Sequence, residues 1–114
     1  MNQNVDVVVV ILSTAPDAAT GESMARTLVD EGLAACVTRT PGCRSVYRWE
    51  GSVESVDEEL LLIKTHARRA QALTRRLQEL HPYEVPEILV LPAAAGLTAY
   101  LDWVRNVTLA GEPT

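Results

Sequence analysis

The fold is decided by residues 33–65, which read LAACVTRTPGCRSVYRWEGSVESVDEELLLIKT. Apolar residues dominate both ends of this stretch, and the side chains between them alternate in the way that is typical of β-strands. Pro41-Gly42 interrupts the first arm and predicts a bulge or kink there. Gly51 predicts a tight turn. The stretch therefore predicts one long β-hairpin with arms of about 13 to 16 residues.

The sequence before the hairpin predicts a strand and a helix. Residues 5–13 form a nearly unbroken β-branched run, which is typical of a strand covered on both faces. Asp17 can accept hydrogen bonds from free backbone N–H groups and so predicts a helix start, and this helix should run to about Glu31. Its predicted inward-facing residues are Met24, Ala25, Leu28 and Val29.

The sequence after the hairpin predicts two more helices and a strand. A helix at 67–80 presents an apolar stripe of Ala70, Leu73, Leu77 and Leu80. Residues 87–91 predict a fourth strand that Pro92 stops. A third helix carries on one face Leu97, Tyr100, Leu101, Val104 and Val107. Because crossovers are right-handed, this order predicts an α+β fold, a ferredoxin-like βαββαβ sandwich with an extended hairpin and a C-terminal helix.

The predicted hairpin is too long for the rest of the chain to cover. A strand rises about 3.3 Å per residue, so an arm of about 16 residues reaches about 50 Å. A domain of this length has a radius of gyration of about 13 Å. Tyr47 and Trp49 lie near the tip on one face, where exposed aromatic side chains need a cover. We therefore expect a homo-oligomer; the alternative is that the kink folds the hairpin back over its own sheet.

Composition and charge narrow the class of protein. The 114 residues carry a net charge of −5, which argues against nucleic acid as a partner. Eight of the ten Lys and Arg lie between Arg39 and Arg76, so a local anion site and a solvated basic face both stay open. The longest apolar run, residues 7–12, is too short to span a membrane. We expect a single domain over residues 1–114, in the cytoplasm and without a membrane partner.

The densest polar segment is HPYEVPE at residues 81–87. Its two prolines stiffen the backbone and hold the side chains in place. His81 is a candidate metal ligand or a group that titrates near neutral pH, and Glu84 and Glu87 offer oxygen ligands. The alternative is that the prolines shape a turn and that His81 serves the C-terminus of the preceding helix.

The remaining reactive side chains have two interpretations each. Cys36 lies in a predicted inner strand, where a buried thiol is more often a small hydrophobe than a ligand. Cys43 follows the kink and is the more oxidisable thiol. Lys64 is the only lysine and either pairs with Glu87 or holds an anionic ligand. His66 is expected to be solvated. No catalytic triad order, phosphate loop or dinucleotide fingerprint occurs, so we expect no enzyme.

The motifs together resemble the CutA family, the divalent-cation tolerance proteins. In order along the chain they are STAP at 13–16, LAACV at 33–37, SVYRWEG at 45–51, IKT at 63–65, HPYEVPEI at 81–88 and YLDW at 100–103. The resemblance covers about residues 6–107. Each piece is short, but the combination of YRWEG, KT and HPYEVPE is highly specific.

The resemblance implies a ferredoxin-like fold and a tight homotrimer built around the long hairpins, with Tyr47 and Trp49 at the trimer interface. It also implies a response to copper and other divalent cations, with no required cofactor and no catalysis. The residues that it places in or near the clefts between subunits are Cys36, Trp49, Lys64, His81, Tyr83, Glu84, Glu87 and Trp103. Among these, His81 and Cys36 are the candidate ligands for a divalent metal such as Cu²⁺.

The chain departs from the family's metal-binding pattern at two positions. Some members carry Cys where this chain has Ser13, and His-His-Pro where it has Leu80-His81-Pro82. A hydroxyl and a leucine are poor replacements for a thiolate and an imidazole, because soft copper prefers sulfur and nitrogen donors. Cys43 is an added thiol at a position that is usually aliphatic.

A second function also fits the resemblance. The PII signalling proteins share the fold and the trimeric plan, so this chain could hold a small anionic ligand in clefts between subunits. Lys64 and Glu87 motivate that alternative.

Overall fold

The computed structural model describes residues 6–110, which form one antiparallel sheet of four strands with three helices. The elements are β1 (Val8–Ala15), α1 (Ala18–Asp30), β2 (Cys36–Trp49), β3 (Ser52–His66), α2 (Ala67–Leu80), β4 (Leu89–Pro92) and α3 (Thr98–Leu109). The strands lie in the order β2-β3-β1-β4, and each neighbouring pair is antiparallel. This topology confirms the predicted α+β, ferredoxin-like fold.

Helices α1 and α2 cover one face of the sheet. Alternate residues of the central strands point into this core, which is built mainly from Val9, Ile11, Leu28, Leu61, Ile63, Leu73 and Leu77. The predicted stripe of α2 packs here. On α1 the prediction is wrong at Val29, which is exposed because it lies at the border of the helix's apolar stripe.

Helix α3 packs on the opposite face, against β3 and β1. Its buried residues are Val104 and Thr108, whereas Leu97, Tyr100 and Val107 are exposed. The predicted apolar face of this helix is therefore only partly buried, because α3 covers only part of the sheet face that it meets.

The sequence suggested that His66 is solvated, and this prediction is wrong, because the side chain is fully buried. It is the N-cap of α2, where its Nδ1 accepts a hydrogen bond of 3.2 Å from the backbone N–H of Arg68. Asp6 Oδ1 lies 3.2 Å from the other ring nitrogen, Nε2. Burial and the nearby Arg105 guanidinium lower the pKa of His66, which keeps the cap neutral. The arginines that follow β3 in the sequence suggested a solvated surface and gave no signal of this capping role.

The hairpin confirms its predicted length, with arms of 14 and 15 residues. Glu50 and Gly51 both have positive φ, of 48° and 82°, which is the type I′ turn that suits a twisted two-residue hairpin. The register shifts between Thr40 and Cys43, where Gly42 has φ of 75°. The bulge predicted at Pro41-Gly42 is thus confirmed, and it joins two registers of the hairpin.

Half of the hairpin extends beyond the sheet. Strand β1 pairs with β3 only from Glu59 to His66, so residues 43–58, here named the ribbon, pair only with each other. Side chains from Arg44 to Ser55 are mostly exposed, and the long dimension of the molecule is 48 Å. The kink therefore does not fold the hairpin back over its own sheet.

The first and last strands differ from their predicted bounds. Val5, the predicted start of the first strand, lies outside the described residues. Strand β4 begins at Leu89 rather than at residue 87 and includes Pro92, which pairs with Val9. Proline fits there because β4 is an edge strand, where a missing N–H need not interrupt the sheet. Within residues 6–110 no helix is both long and apolar enough to cross a membrane.

An ion-pair network fastens α1 to the hairpin. Arg39 on β2 donates from Nη1 to Glu59 Oε1 at 2.7 Å and from Nη2 to Glu22 Oε1 at 2.8 Å. The Glu59 side chain is buried. Gly21 lies against it, and a Cβ at that position would overlap Glu59 Oε1. The absence of a side chain at position 21 thus keeps the carboxylate in reach of Arg39.

We predict that Gly21→Ala lowers the free energy of unfolding by about 2 kcal/mol, because it displaces a buried, paired carboxylate. Chemical denaturation measures this change. Without the overlap, Gly→Ala inside a helix should instead stabilise by about 1 kcal/mol. In a Glu59→Ala background the same substitution should therefore become stabilising, and a loss of stability in both backgrounds would contradict the explanation.

Candidate functional site

A groove of about 770 Å³ lies between the ribbon and the loop that follows α2. The ribbon and the end of β1 provide Thr14, Ser45, Val46, Tyr47, Trp49 and Glu58, and the loop provides Pro82, Tyr83, Glu84, Val85, Pro86 and Glu87. The structure thus brings the stiff polar loop and the aromatic side chains of the hairpin together within one chain.

His81 holds the start of this loop in place. Its Nδ1 accepts a hydrogen bond of 3.1 Å from the backbone N–H of Tyr83. The proton of the neutral ring is therefore on Nε2, which donates to the Thr14 carbonyl at 2.7 Å. The backbone N–H of His81 closes the end of α2 on Leu77 O. His81 is buried, and both of its ring nitrogens are engaged, so neither is free for a metal ion.

Tyr83 forms a second link between the loop and the ribbon. Its hydroxyl donates to Glu58 Oε2 at 2.6 Å, and its ring lies 4.8 Å from the His81 ring between centroids. Burial, followed by the hydrogen bond to the Glu58 carboxylate, raises the pKa of Tyr83. Tyr83 therefore stays a neutral donor, and Glu58 is held with a charge-assisted hydrogen bond.

The charge of the groove is negative. Its only charged lining residues are Glu58, Glu84 and Glu87, and no lysine or arginine is among them. Glu58 is buried, whereas Glu84 and Glu87 are exposed. The ribbon also contributes apolar side chains to the lining, among them Val46 and Trp49. Because apolar walls focus the field of nearby charges, the groove attracts cations and repels anions.

Two of the predicted site residues, Cys36 and Lys64, lie away from the groove. They are paired neighbours on β2 and β3, and Lys64 Nζ is 3.7 Å from Cys36 Sγ and 2.5 Å from Thr38 Oγ1. Lys64 is six residues from Glu58 on β3, which is about 20 Å of strand. The contacts of Lys64 are thus with Thr38 and Cys36 and not with Glu87.

The remaining candidates are also separate. Trp103 lies on α3 beside Tyr100, with 5.7 Å between ring centroids. Cys43 lies at the bulge, where its thiol contacts the Thr40 carbonyl, and it forms no disulfide with Cys36. Across residues 6–110, no three His, Cys, Asp or Glu side chains are grouped closely enough to hold a metal ion.

The two positions that depart from the family's metal pattern face the interior. Ser13 is fully buried, and its Oγ has no hydrogen-bond partner within the described part of the chain. Leu80 is partly buried against the main core. Neither side chain replaces the lost thiolate or imidazole, since one is an isolated hydroxyl and the other a hydrocarbon.

Sequence reasoning missed Glu58 as a groove residue. In the sequence it lies among other acidic residues near the hairpin tip, namely Glu50, Glu54, Asp57 and Glu59, and nothing local sets it apart from them. Only the register across the bulge separates buried Glu58 from its exposed neighbour Asp57. The available signal was that Glu58 and Glu59 directly precede the apolar run at 60–63. Charges next to a core strand need partners, so these two carboxylates could have been predicted to be paired.

We predict that His81→Ala lowers the free energy of unfolding by about 2 kcal/mol, because the buried Tyr83 N–H and Thr14 carbonyl both lose a partner. Amide hydrogen exchange should quicken at Tyr83 before the protein unfolds globally. Glu84→Ala, an exposed change in the same loop, is the matched control and should alter stability by less than about 0.5 kcal/mol. Unchanged exchange at Tyr83 in the His81 variant would rule out this role.

Comparison with known proteins identifies the family. The model of the CutA1 divalent ion tolerance protein family matches residues 9–107. The divalent-cation tolerance protein CutA of Pectobacterium atrosepticum is 49% identical over 97 residues, which cover 85% of this chain and 88% of the relative. CutA of Thermus thermophilus is 48% identical over 99 residues, with coverage of 87% and 96%.

A solved structure agrees with the sequence matches. CutA from Xylella fastidiosa superposes on this chain with a TM-score of 0.87 at 46% identity, covering 89% of this chain and 97% of the other. Residues 9–107, which the family model matches, include the ribbon and the stiff loop of the groove. The chain therefore belongs to the CutA1 divalent ion tolerance family.

Proposed function

We propose that the protein is a homotrimeric divalent-cation tolerance protein that takes part in the response to copper and other divalent metal ions without catalysing a reaction. The observation that supports this proposal best is the groove whose charged lining side chains are all carboxylates. The names of its relatives point to the same class of ion. The proposal places the protein in the cytoplasm, where Cys36 and Cys43 stay reduced.

The carboxylates of the groove are better placed to hold a cation loosely than His81 and Cys36, the two predicted metal ligands. A metal at His81 would displace the ring from Thr14 or Tyr83. A metal at Cys36 would meet the Lys64 ammonium 3.7 Å from the sulfur, and like charges repel at that distance. Carboxylate oxygens at Glu84 and Glu87 are exposed and compatible with a hydrated divalent ion.

We predict weak Cu²⁺ binding that depends on the groove carboxylates. Isothermal titration should show a several-fold loss of affinity for Glu84→Gln/Glu87→Gln, because the change removes two negative charges from the groove. Glu50→Gln/Glu54→Gln makes the same charge change on exposed ribbon residues outside the groove lining and is the matched control.

Two further variants separate the candidate ligands. His81→Asn and Cys36→Ser should bind Cu²⁺ like the wild type if the carboxylates hold the ion. Equal affinity for the groove variant and its control, or loss of binding with Cys36→Ser alone, would move the cation site away from the groove.

The exposed apolar surface of the ribbon supports the trimer. Tyr47 and Trp49 are 42% and 44% exposed, and Val46 and Val53 are 68% and 64% exposed. A two-stranded ribbon that carries such side chains is unstable in water unless another surface covers it. On β4, Leu89, Val90 and Leu91 are exposed on the free edge of the sheet. Packing of ribbons from three copies would cover both surfaces, in line with the closed symmetry of most oligomers.

We predict that Trp49→Asp breaks the trimer, because it places a charge in an apolar contact. Sedimentation velocity should give three chain masses for the wild type and a shift toward one chain mass for the variant. Ala19→Asp, on the exposed surface of α1, introduces the same charge away from the ribbon and should stay trimeric. A Trp49→Asp protein that keeps three chain masses would contradict the placement of the interface.

A further inference from the structure

A cluster of charged side chains joins α3 to the start of α2, at the end of β3 opposite the ribbon. Its centre is His66, the last residue of β3, which is fully buried. Asp6 Oδ1 lies 3.2 Å from His66 Nε2 and 2.6 Å from Arg105 Nη1 of α3. From α2, Arg69 Nε donates to the carbonyl of Thr108, a buried residue of α3, at 2.7 Å. This cluster, here named the α3 clamp, consists of Asp6, His66, Arg68, Arg69 and Arg105.

The cap at the start of α2 requires a neutral His66. Its Nδ1 accepts the hydrogen bond from the backbone N–H of Arg68, so the proton of the neutral ring is on Nε2, which faces Asp6. An imidazolium ion carries a proton on both nitrogens and cannot accept a hydrogen bond. Protonation of His66 therefore removes the side-chain cap of α2.

Two opposing effects act on a proton at His66. Asp6 attracts it, but this carboxylate is 50% exposed and screened by water, and it already contacts Arg105 at 2.6 Å and Arg68 at 3.7 Å. These two guanidinium groups, and Lys64 two residues earlier on the same face of β3, repel a further positive charge. Burial of the ring also disfavours its charged form. Burial and then the nearby Arg105 thus lower the pKa of His66 below the ordinary value of 6.5.

Within the α3 clamp, only the His66 ring changes charge between pH 5 and 8. The hydrogen bond from Arg105 holds the pKa of Asp6 below its usual range, and guanidinium groups stay charged throughout. The unfolded chain binds a proton on His66 near pH 6.5, whereas the folded chain binds it only at lower pH. Acid therefore favours the open form, and the stability that the neutral cap contributes is complete above pH 6.5 and is lost as the pH falls below it.

We propose that the α3 clamp is acid-sensitive, so that protonation of His66 uncaps α2 and loosens the C-terminal half of α3 from the sheet. When the first turn of α2 frays, Arg69 moves with it, and its bond to the Thr108 carbonyl of α3 is lost. The imidazolium also places a positive charge beside the pair of Asp6 and Arg105, which weakens their attraction. This response to pH does not depend on the binding of cations in the groove or on the trimer.

The titration of His66 can be observed directly because the chain has only two histidines. Selective ¹⁵N-histidine labelling gives two sets of ring signals in the native protein, and the His66→Asn variant identifies which set belongs to His66. At pH 7.5 the His66 ring should be the tautomer that carries its proton on Nε2. Its titration midpoint should lie below pH 6.5.

Amide hydrogen exchange, corrected for the pH dependence of intrinsic exchange, measures the opening of α3. Between pH 7.5 and pH 5.5 the protection of the Thr108 N–H should fall severalfold and at most about tenfold, because one proton is taken up for each opening. At both pH values it should stay below the protection of the Leu28 N–H in the core helix α1, since a local opening costs less than global unfolding.

Three variants separate the clamp from other sources of pH dependence. Asparagine can cap α2 and does not titrate, so in His66→Asn the Thr108 protection should change by less than about twofold between the two pH values. His81→Asn removes the other histidine, which lies outside the clamp, and should respond to pH like the wild type. Asp6→Asn should lower the Thr108 protection at both pH values, because it removes the charge that holds Arg105.

Several results would overturn the proposal. A titration midpoint of 6.5 or above would mean that folding does not disfavour the charged ring. A pH dependence that persists in His66→Asn would assign it to another group. Thr108 protection that equals that of Leu28 at pH 5.5 would mean that α3 opens only with the whole molecule, and unchanged Thr108 protection in Asp6→Asn would mean that the clamp does not hold α3. None of these outcomes bears on Cu²⁺ binding in the groove.

Discussion

The register of the hairpin between β2 and β3 decides which of the hairpin's side chains line the groove and which lie on the rest of the sheet. Side chains alternate between the two faces of a strand, so a slip of one residue would exchange them. The type I′ turn at Glu50-Gly51 sets the register of the ribbon. The bulge between Thr40 and Cys43 then resets it. The result buries Glu58 beside the groove while Lys64, six residues later, faces α3.

The length of β3 also keeps two opposite charges apart. The groove carries three carboxylates at one end of β3, and Lys64 carries one ammonium group at the other, about 20 Å away. The Debye length at physiological ionic strength is about 8 Å, so the two fields hardly affect each other in solution. The carboxylates of the groove and the Lys64 ammonium are thus too far apart to neutralise each other.

Much of the fold could be predicted from the sequence because its signals are local. The hairpin arms, the apolar stripe of α2 and the α1 cap at Asp17, which accepts from Thr20 N–H, follow from spacing and turn chemistry alone. Errors arose where tertiary contacts decided the outcome. His66 is buried near Arg105 of α3, and Pro92 is tolerated because β4 has a free edge.

The candidate site was harder to predict for the same reason. Proline and charge patterns indicated the loop at 81–87, and Trp49, Tyr83, Glu84 and Glu87 do line one groove. The engagement of His81 Nε2 depends on Thr14, which is 67 residues away in the chain. A partner at that distance leaves no local signal. Within one chain, Cys36 and Lys64 lie on a separate part of the sheet from this loop, and their place in clefts between subunits stays a prediction.

Assembly and the groove are physically coupled through the ribbon. Tyr47 and Trp49 line the groove and are also the exposed aromatic residues that need a cover. In the proposed trimer, a copy that packs on the ribbon would therefore also change the open side of the groove. The loop that forms the other wall of the groove should keep its position, because His81 and Tyr83 bond it to β1 and β3. In the proposed trimer, a rigid wall would face a wall completed by a second copy, so the groove's affinity for a cation would be a property of the oligomer.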